Sequence, residues 1–354
     1  MLDRSLEALW GIESLHSNRR RPRGYVERPA GFHVIEPRPI PPRGDGWSWY
    51  LVRRVGMDSW RALKTLARLT GATRGGLLGL KDACSYATQY MALKGTGLPG
   101  RLEVPGLKAW LIGRAGPPRL GLHRYNIFKI TLRAGGRVDA AGVEWVPGFY
   151  GPQRFGISRP NTHYLGLLYA EARMGEVIRE YLFRYPLEER SGPGGYEARE
   201  LARLRAGMPR PRILRIMAEA LQSYIFNRAL SRSLHDPRGY AEHHVTVECM
   251  GSTYKVPAAR LPGPRLVSSR SRWAKLVGEI LGEEGLSWQA LRGLGSPFRP
   301  LLYPVCNLRS RETPEGAVLR FALPRGAYAT SLLRELVDMD WTAYDECRMD
   351  SAQL

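Results

Sequence analysis

The chain has 354 residues, of which 44% are hydrophobic and 24% charged, a composition that excludes wholesale disorder and suits one large α/β unit or two domains. Lys and Arg number 53 against 33 Asp and Glu, and only seven of the 53 are lysine. The net charge of +20 exceeds what solubility requires, and the planar donors of arginine match phosphate, so the balance indicates a polyanion partner such as nucleic acid. Genome composition or a hot habitat would explain the preference for arginine but not the net sign.

Sequence patterns typical of secreted and membrane proteins are missing. No run of about 18 uncharged apolar residues occurs, and residues 1–20 lack the apolar core of a secretory signal. The cysteines stand far apart with no C-x-x-C pair, so we expect neither a zinc site nor a disulfide framework. They are Cys84, Cys249, Cys306 and Cys347. A cytoplasmic protein in a reducing compartment fits this pattern.

The N-terminal part begins with an arm and continues into regular elements. Residues 17–46 are rich in Pro, Gly and Arg and predict an extended segment with one short strand around Phe32. WSWYLVRRV predicts a strand. DSWRALKTLARLTG then predicts a helix capped by Asp58 or Ser59 and ended by Gly71.

Asp82 lies between two apolar segments that predict strands. An acid in such a turn most often bonds its own backbone, so the local pattern alone indicates a turn former. IFKITLR, further along, alternates apolar with polar or basic residues and predicts a half-exposed strand with a basic face.

The pattern becomes helical from about residue 157. A break, SGPGG, stands at 191–195, and the longest predicted helix follows Pro211. From about residue 300 a strand returns in AVLRFALP and a helix in ATSLLRELVDM. The chain therefore predicts a mixed α/β domain made of both ends and interrupted by a mainly helical insert.

Six separated stretches carry the functional signal. They are GFHVIEP (31–37), GLKDACSYATQY (79–90), RLGLHRYNIF (119–128), PGFYGPQRFG (147–156), LQSYIFNRAL (221–230) and LPRGAYATSLLREL (323–336). In this order they resemble the blocks of one family, the TruD pseudouridine synthases, which isomerise uridine in tRNA. One block alone is weak, whereas six in order make a chance match very improbable.

The resemblance implies a fold and a domain arrangement. The fold is α+β: a mixed, mainly antiparallel pseudouridine synthase sheet with helices, plus an inserted, mainly helical α/β TRUD domain. The catalytic domain would be discontinuous and would cover residues 1–156 and 300–354. The inserted TRUD domain would cover residues 157–299. The implied partner is tRNA, with uridine 13 of the D arm as the target. No metal or nucleotide cofactor is expected, and the oligomeric state is open, with a monomer favoured.

The resemblance also implies roles for individual residues. Asp82 would be the catalytic carboxylate, either attacking C1′ of the ribose or taking a proton to form a glycal. Tyr150 would stack on the flipped base and Phe32 would shape the pocket, and the alternative for each is a core aromatic beside a turn. Substrate or RNA contacts are further expected from Lys81, Asn126, Gln153 and Arg154. For Arg154, a structural ion pair is an equal alternative.

Phosphate contacts are expected to be spread over many arginines, with no single one decisive. The candidates named from the sequence are the arm, the predicted strand and the insert, with Arg19, Arg20, Arg21, Arg23 and Arg133 among them.

The chain departs from the family pattern at three places near these residues. The usual basic residue six positions before Phe32 is Val26, for which Arg23 or Arg28 would substitute. Ala83 replaces a basic residue after Asp82, and Gly148 replaces an asparagine. The alternative function is therefore a divergent paralogue that binds or remodels RNA without catalysis.

Overall fold

The computed structural model describes residues 6–95, 97–180, 203, 206 and 211–347. The chain divides into two compact units, and each is described separately. The sheet unit comprises Arg19–Val146, Thr246–Tyr254 and Tyr303–Leu354. The helical unit comprises Met1–Asn18, Pro147–Val245 and Lys255–Leu302.

The functional assignment of domains stays a prediction, with 1–156 and 300–354 as the catalytic domain and 157–299 as the insert. The compact units divide near these bounds, at Pro147 and Leu302. The predicted break at 191–195 lies outside the described residues.

The sheet unit is built on an 11-stranded sheet. Its strands are β1 Arg23–Val26, β2 Phe32–Ile35, β3 Trp47–Arg54, β4 Arg74–Leu77, β5 Tyr86–Lys94, β6 Arg101–Val104, β7 Leu107–Ala115, β8 Tyr125–Ala134, β14 Cys306–Thr313, β15 Gly316–Pro324 and β16 Asp338–Met339. The remaining strands are β9 Trp145–Pro147, β10 His243–Cys249, β11 Ser252–Arg260, β12 Phe298–Pro300 and β13 Leu302–Pro304.

The sheet is mixed and mainly antiparallel, as the family resemblance implies. The strand order is β14-β15-β8-β2-β5-β3-β7-β6. In addition, β1 pairs with β8 and with β16, and β4 pairs with β5. Only the β2–β5 and β1–β16 ladders are parallel among the described strands of this sheet. The parallel β2–β5 pair matters for the site, because it brings the arm strand beside the strand that follows Asp82.

Helix α2, Ser59–Thr70, packs on one face of this sheet. Asp58 caps it by accepting from the backbone N–H of Trp60 and Arg61, and Gly71 ends it at φ 65°, as expected for a left-handed cap. Its buried side chains join strand residues in one core, which contains Tyr50, Val52, Met57, Ala62, Leu63, Leu66, Leu77, Met91, Leu93, Leu107 and Ala109. This core anchors the strands on both sides of the Asp82 turn.

Two helices complete the sheet unit after β15. They are α7 Ala329–Leu336, which is buried along its whole length, and α8 Trp341–Asp345, whose N-cap is Asp340. The predicted strand AVLRFALP and the helix after it are therefore confirmed.

The helical unit contains the remaining described helices, α1 Leu6–Leu9, α3 Thr162–Ala170, α4 Met174–Arg179, α5 Pro211–Ser233 and α6 Arg272–Glu283. The long helix begins at Pro211 as predicted. Helices α3 and α5 approach closely at Gly166, where an added Cβ would overlap the carbonyl oxygen of Met217. The sequence missed the three-stranded ladder β10-β11-β12.

The prediction of no disulfide framework is wrong. Cys84 bonds Cys347 and Cys249 bonds Cys306, with Cα–Cα distances of 5.7 and 6.5 Å. The partners are 263 and 57 residues apart, so only the tertiary fold brings them together and their spacing gave no signal. The inference of a reducing compartment from cysteine usage therefore loses its basis; disulfides also occur in intracellular proteins of hyperthermophiles.

Within the described ranges, every helix is too short or too polar to cross a bilayer.

Candidate active site

Asp82 lies in the turn between β4 and β5, and its side chain is 35% exposed. The turn is fixed by bonds to its backbone: Ser85 Oγ donates to the Asp82 carbonyl at 2.9 Å, and the Gly56 N–H donates to Ala83 at 3.1 Å. The carboxylate itself makes only a long 3.4 Å local bond, from the Cys84 N–H to Oδ1. Forming the turn is therefore mainly the work of other groups, and the carboxylate is left with an exposed side.

Arg28 is the cationic partner of Asp82. Its Nη1 donates to Asp82 Oδ2 at 2.9 Å, and the arginine side chain is only 7% exposed. A charge-assisted bond from a buried arginine fixes the orientation of the carboxylate. The usual basic position, Val26, is buried in the core, and Arg23 pairs with Asp340 instead. Arg28 is thus the substitute that the sequence left open.

A second ion pair, between Lys81 and Glu36, lies beside the Asp82 turn. The Lys81 ammonium donates to Glu36 Oε1 at 2.7 Å, and the second carboxylate oxygen accepts from the Tyr90 N–H at 3.0 Å. Burial lowers the pKa of Lys81, against the opposing effect of Glu36. Lys81 was predicted to contact RNA, and the structure places its ammonium in this buried pair instead of at the surface.

Gly79 is required by this ion pair. A Cβ at that position would lie 2.7 Å from both Lys81 Nζ and Glu36 Oε1, and 2.5 Å from His123 Cε1. No side chain fits unless the pair moves. Burial, reinforced by the Lys81 charge, lowers the pKa of His123 to about 4, so its ring is neutral beside the ammonium.

Arg54, which the sequence did not single out, holds the turn through its backbone. Its Nη1 donates to the Asp82 carbonyl at 3.0 Å and its Nε to Gln89 Oε1 at 3.1 Å. Ser59 Oγ donates to the same Gln89 oxygen and accepts from the Lys81 N–H at 2.8 Å. Burial lowers the pKa of Arg54 to about 10. The sequence held a signal for a buried role of Arg54, because Arg54 follows Tyr50 and Val52 at alternate positions of the strand, on its buried face.

Phe32 and Asn126 lie on the face of the sheet that α2 covers elsewhere. The Phe32 ring is edge-on to Phe128 at 6.2 Å and to Tyr344 at 6.4 Å between centroids. Asn126 and Phe128 project from the same face because they are two residues apart on β8. Asn126 Oδ1 is buried without a hydrogen-bond partner among the described residues, so an acceptor is available there.

The other predicted site residues belong to the helical unit. Gln153 is exposed in a short 3-10 helix, Pro152–Arg154. Arg154 is 3.4 Å from Glu219, which agrees with the structural alternative considered for it. The Tyr150 ring contacts Phe226 at 5.8 Å and lies 3.9 Å from the Arg299 guanidinium carbon.

The segment around Tyr150 is held by two residues that the sequence did not assign. Asn227 is fully buried; its Oδ1 accepts from the Tyr150 N–H at 2.8 Å and its Nδ2 donates to the Tyr150 carbonyl at 3.1 Å. Arg299 donates to the Gly148 carbonyl at 2.8 Å. A Cβ on Gly148 would overlap the Pro300 carbonyl oxygen, which explains sterically why glycine stands where the family pattern has asparagine.

One row of side chains crosses five strands of the sheet unit. Each residue of the row lies directly opposite the next one on the neighbouring strand. In order, the row consists of Arg309, Arg320, Lys129, His33 and Tyr86. The three cations are exposed, and none forms an ion pair with an acid in the described part of the chain. The His33 and Tyr86 rings stack at 5.0 Å. Opposed like charges destabilise a sheet, so this basic row is costly without a polyanion.

Most arginines expected at phosphates already have partners. The bonds join Arg19 to Asp139, Arg21 to the Arg334 carbonyl, Arg23 to Asp340, and Arg133 to Glu27. The basic row is therefore the stronger candidate for phosphate contacts. Among the described residues, no group of three or more His, Cys, Asp or Glu side chains is arranged to hold a metal ion.

The chain is similar to known proteins of one family. The profile of the family described as tRNA pseudouridine synthase D (TruD) matches residues 26–203 and 241–336. A Pyrobaculum neutrophilum protein with the printed name "Probable tRNA pseudouridine synthase D" is 30% identical over 84% of this chain and 85% of its own length. The Thermus thermophilus tRNA pseudouridine synthase D is 26% identical over 88% of each chain.

A solved structure supports the fold. A crystal structure from Methanosarcina mazei, whose title carries the same TruD label, matches with a TM-score of 0.68 at 20% identity. The match covers 95% of this chain and 98% of that one. At this identity the likeness concerns the fold, and the predicted α+β fold is confirmed.

Proposed function

The chain belongs to the TruD family of tRNA pseudouridine synthases, and from this membership we propose that it isomerises uridine in tRNA with Asp82 as the reacting carboxylate. The observation that carries the proposal is the geometry of Asp82: one carboxylate oxygen is held by a buried arginine, and 35% of the Asp82 side chain is exposed. Its turn is fixed by Arg54, Ser85 and the Lys81–Glu36 pair, as a reacting group requires.

The chemistry needs an ionised carboxylate and no redox change. The C1′–N1 bond of uridine breaks, the uracil turns, C1′ bonds C5, and the C5 hydrogen leaves to solvent while N1 gains a proton. Asp82 would either attack C1′ or take a ribose proton to give a glycal. In both routes Arg28 would keep the carboxylate aligned through Oδ2, and Oδ1, which has only the long bond from the Cys84 N–H, would react with the substrate.

Further groups have proposed roles toward the flipped nucleotide. Asn126 Oδ1, a buried acceptor, suits an N–H of uracil or a ribose hydroxyl. The stacking role of Tyr150 and the contact roles of Gln153 and Arg154 stay predictions. The basic row would follow the phosphate backbone of the RNA, with the His33–Tyr86 stack at its inner end.

The test is release of tritium from tRNA that carries uridine labelled at C5. We expect release by the wild-type protein and none by Asp82→Asn, which is of nearly equal size. If both proteins bind tRNA and neither releases tritium, the chain is an RNA-binding paralogue and the proposal is wrong. Thermal unfolding of Asp82→Asn serves as the control for folding.

The target position and cofactor independence have separate tests. We propose uridine 13 of the D arm, so a tRNA with cytidine at that position is expected to release no tritium. Loss of activity on addition of a metal chelator would contradict the proposed chemistry. A cytoplasmic location and a monomeric state also remain part of the proposal, to be checked by cell fractionation and by sedimentation.

A further inference from the structure

Residues 341–347, here named the C-terminal clamp, enclose Arg28. Arg28 Nε donates to the Tyr344 carbonyl at 2.6 Å, and its guanidinium carbon lies 4.1 Å from the centre of the Tyr344 ring. Arg28 Nη2 is 3.7 Å from Asp345 Oδ1. Arg28 also forms an isolated parallel bridge with Cys347. The clamp thus takes up Nε, Nη2 and the face of the guanidinium, which leaves Nη1 directed at Asp82.

A disulfide also connects the C-terminal clamp to the Asp82 turn. The disulfide joins Cys347, the last described residue of the clamp, to Cys84, which is two positions after Asp82. Asp82 is therefore connected to the clamp twice, through the guanidinium of Arg28 and through the Cys84–Cys347 bond. Both connections must keep their geometry for the carboxylate to hold one position.

The clamp is packed into the sheet unit. Trp341 and Tyr344 are buried, and their rings meet edge to face at 5.6 Å. Asp340 caps α8 by accepting from the Ala343 N–H. The clamp lies beyond residue 336, where the match to the family profile ends.

We propose that the C-terminal clamp is a positioning element for the reaction, in which Tyr344 and the Cys84–Cys347 disulfide hold Arg28 and the Asp82 turn in register. The inference rests on the proposed function, because it assigns the clamp to the same carboxylate. Its physical basis is that a free arginine side chain samples many rotamers, whereas a guanidinium held by its neighbours has already lost that freedom. Val26 stands where the family pattern has its basic residue, so the cation comes from Arg28 and requires support of its own.

The clamp also makes the rate sensitive to thiols. A dithiol such as dithiothreitol reduces the disulfide: the S–S bond breaks, the two sulfurs accept two electrons and two protons, and the dithiol becomes a disulfide. The clamp then keeps only its noncovalent contacts with Arg28.

The experiment compares two disulfide deletions in the full chain. Cys84→Ser/Cys347→Ser removes the clamp bond, and Cys249→Ser/Cys306→Ser removes the other disulfide as the matched control. The single-turnover rate of tritium release is expected to fall about tenfold or more in the first variant, since small misplacements of reacting groups are costly, and to stay at the wild-type value in the second. Affinity for tRNA is expected to be unchanged in both.

Two readouts separate positioning from a loss of stability. Dithiothreitol should lower the wild-type and control rates to that of the first variant and leave the first variant unaffected. Tyr344→Leu should reproduce the slow rate, and Tyr344→Phe should restore most of it by keeping the ring.

Failure of this inference is distinct from failure of the proposed function. If the wild type releases tritium, Asp82→Asn does not, and Cys84→Ser/Cys347→Ser matches the wild type in rate, the clamp is not a positioning element. If the wild type itself releases no tritium, the proposed function fails first. If Cys84→Ser/Cys347→Ser does not fold, the thiol experiment and the Tyr344 pair decide.

Discussion

The guanidinium of Arg28 donates to Asp82 Oδ2 at 2.9 Å, although the two residues are 54 positions apart in the chain. The same guanidinium bonds the Tyr344 carbonyl, so one buried arginine joins the arm, the turn and the C-terminus. This arrangement leads to specific expectations for variants.

Arg28→Gln is expected to slow tritium release about 10- to 100-fold, because the carboxylate loses the partner that orients it. Arg28→Lys should recover part of the rate, since it restores the charge without the planar donors. Single-turnover assays at fixed pH measure both effects. Arg61→Gln, an exposed arginine on α2, is the matched control and should behave as wild type. Equal rates for Arg28→Gln and Arg61→Gln would show that the pair has no part in the reaction.

Gly79→Ala is expected to destabilise the protein by about 1–3 kcal/mol, because its Cβ collides with the buried Lys81–Glu36 pair and with His123. Gly100→Ala is the control, since its Cβ would meet no atom within 4 Å. That change should be neutral or slightly stabilising. Urea unfolding of the two variants tests the steric reading, which a neutral Gly79→Ala would contradict.

The stability of the sheet unit is expected to fall in mild acid because of His123. Histidine has a pKa of about 6.5 when unfolded, and burial lowers that of His123 to about 4. Between these values the unfolded chain binds a proton that the folded protein does not, so the free energy of unfolding falls as pH falls through this range. The contribution is on the order of 1–3 kcal/mol.

His123→Asn is the variant that isolates this effect, because its amide nitrogen can replace Nδ1 as the donor to the Leu78 carbonyl, a contact of 3.1 Å. Denaturant unfolding from pH 7 to 4 should show a shallower loss of stability than in the wild type. His163, also buried, has its pKa lowered to about 4 and keeps part of the dependence in both proteins. Identical slopes would mean that His123 is not the titrating group.

Neutralising the basic row should weaken tRNA binding and leave the fold at least as stable. Arg320→Gln and Lys129→Gln each remove one proposed phosphate contact. Each change is therefore expected to reduce the slope of log binding constant against log salt concentration by about 0.7–0.9. Because opposed like charges are removed, the thermal midpoint should stay or rise. Filter binding over a salt series measures the slope, and Arg61→Gln is the charge-matched control. An unchanged slope would place the phosphates elsewhere.

Local patterns in the sequence determined much of this molecule. The alternation in IFKITLR and the cap residues of DSWRALKTLARLTG predict β8 and α2, because strand alternation and helix termini depend on residues close in the chain. The order of the family blocks predicted the fold, which is confirmed, and Asp82 as the catalytic residue, which stays a prediction.

Only the tertiary structure decided which groups surround Asp82. Arg28 supplies the cation that is missing at Val26. Lys81 forms a buried ion pair with Glu36. Cys84 forms a disulfide with Cys347, which is 263 positions away in the chain. These contacts form between residues far apart in the chain, where a side chain's reach and direction depend on how strands and helices pack. Spacing along the sequence carries no record of such distances, which is why the sequence left Arg23 and Arg28 as alternatives for the cation and gave no signal for the Cys84–Cys347 bond.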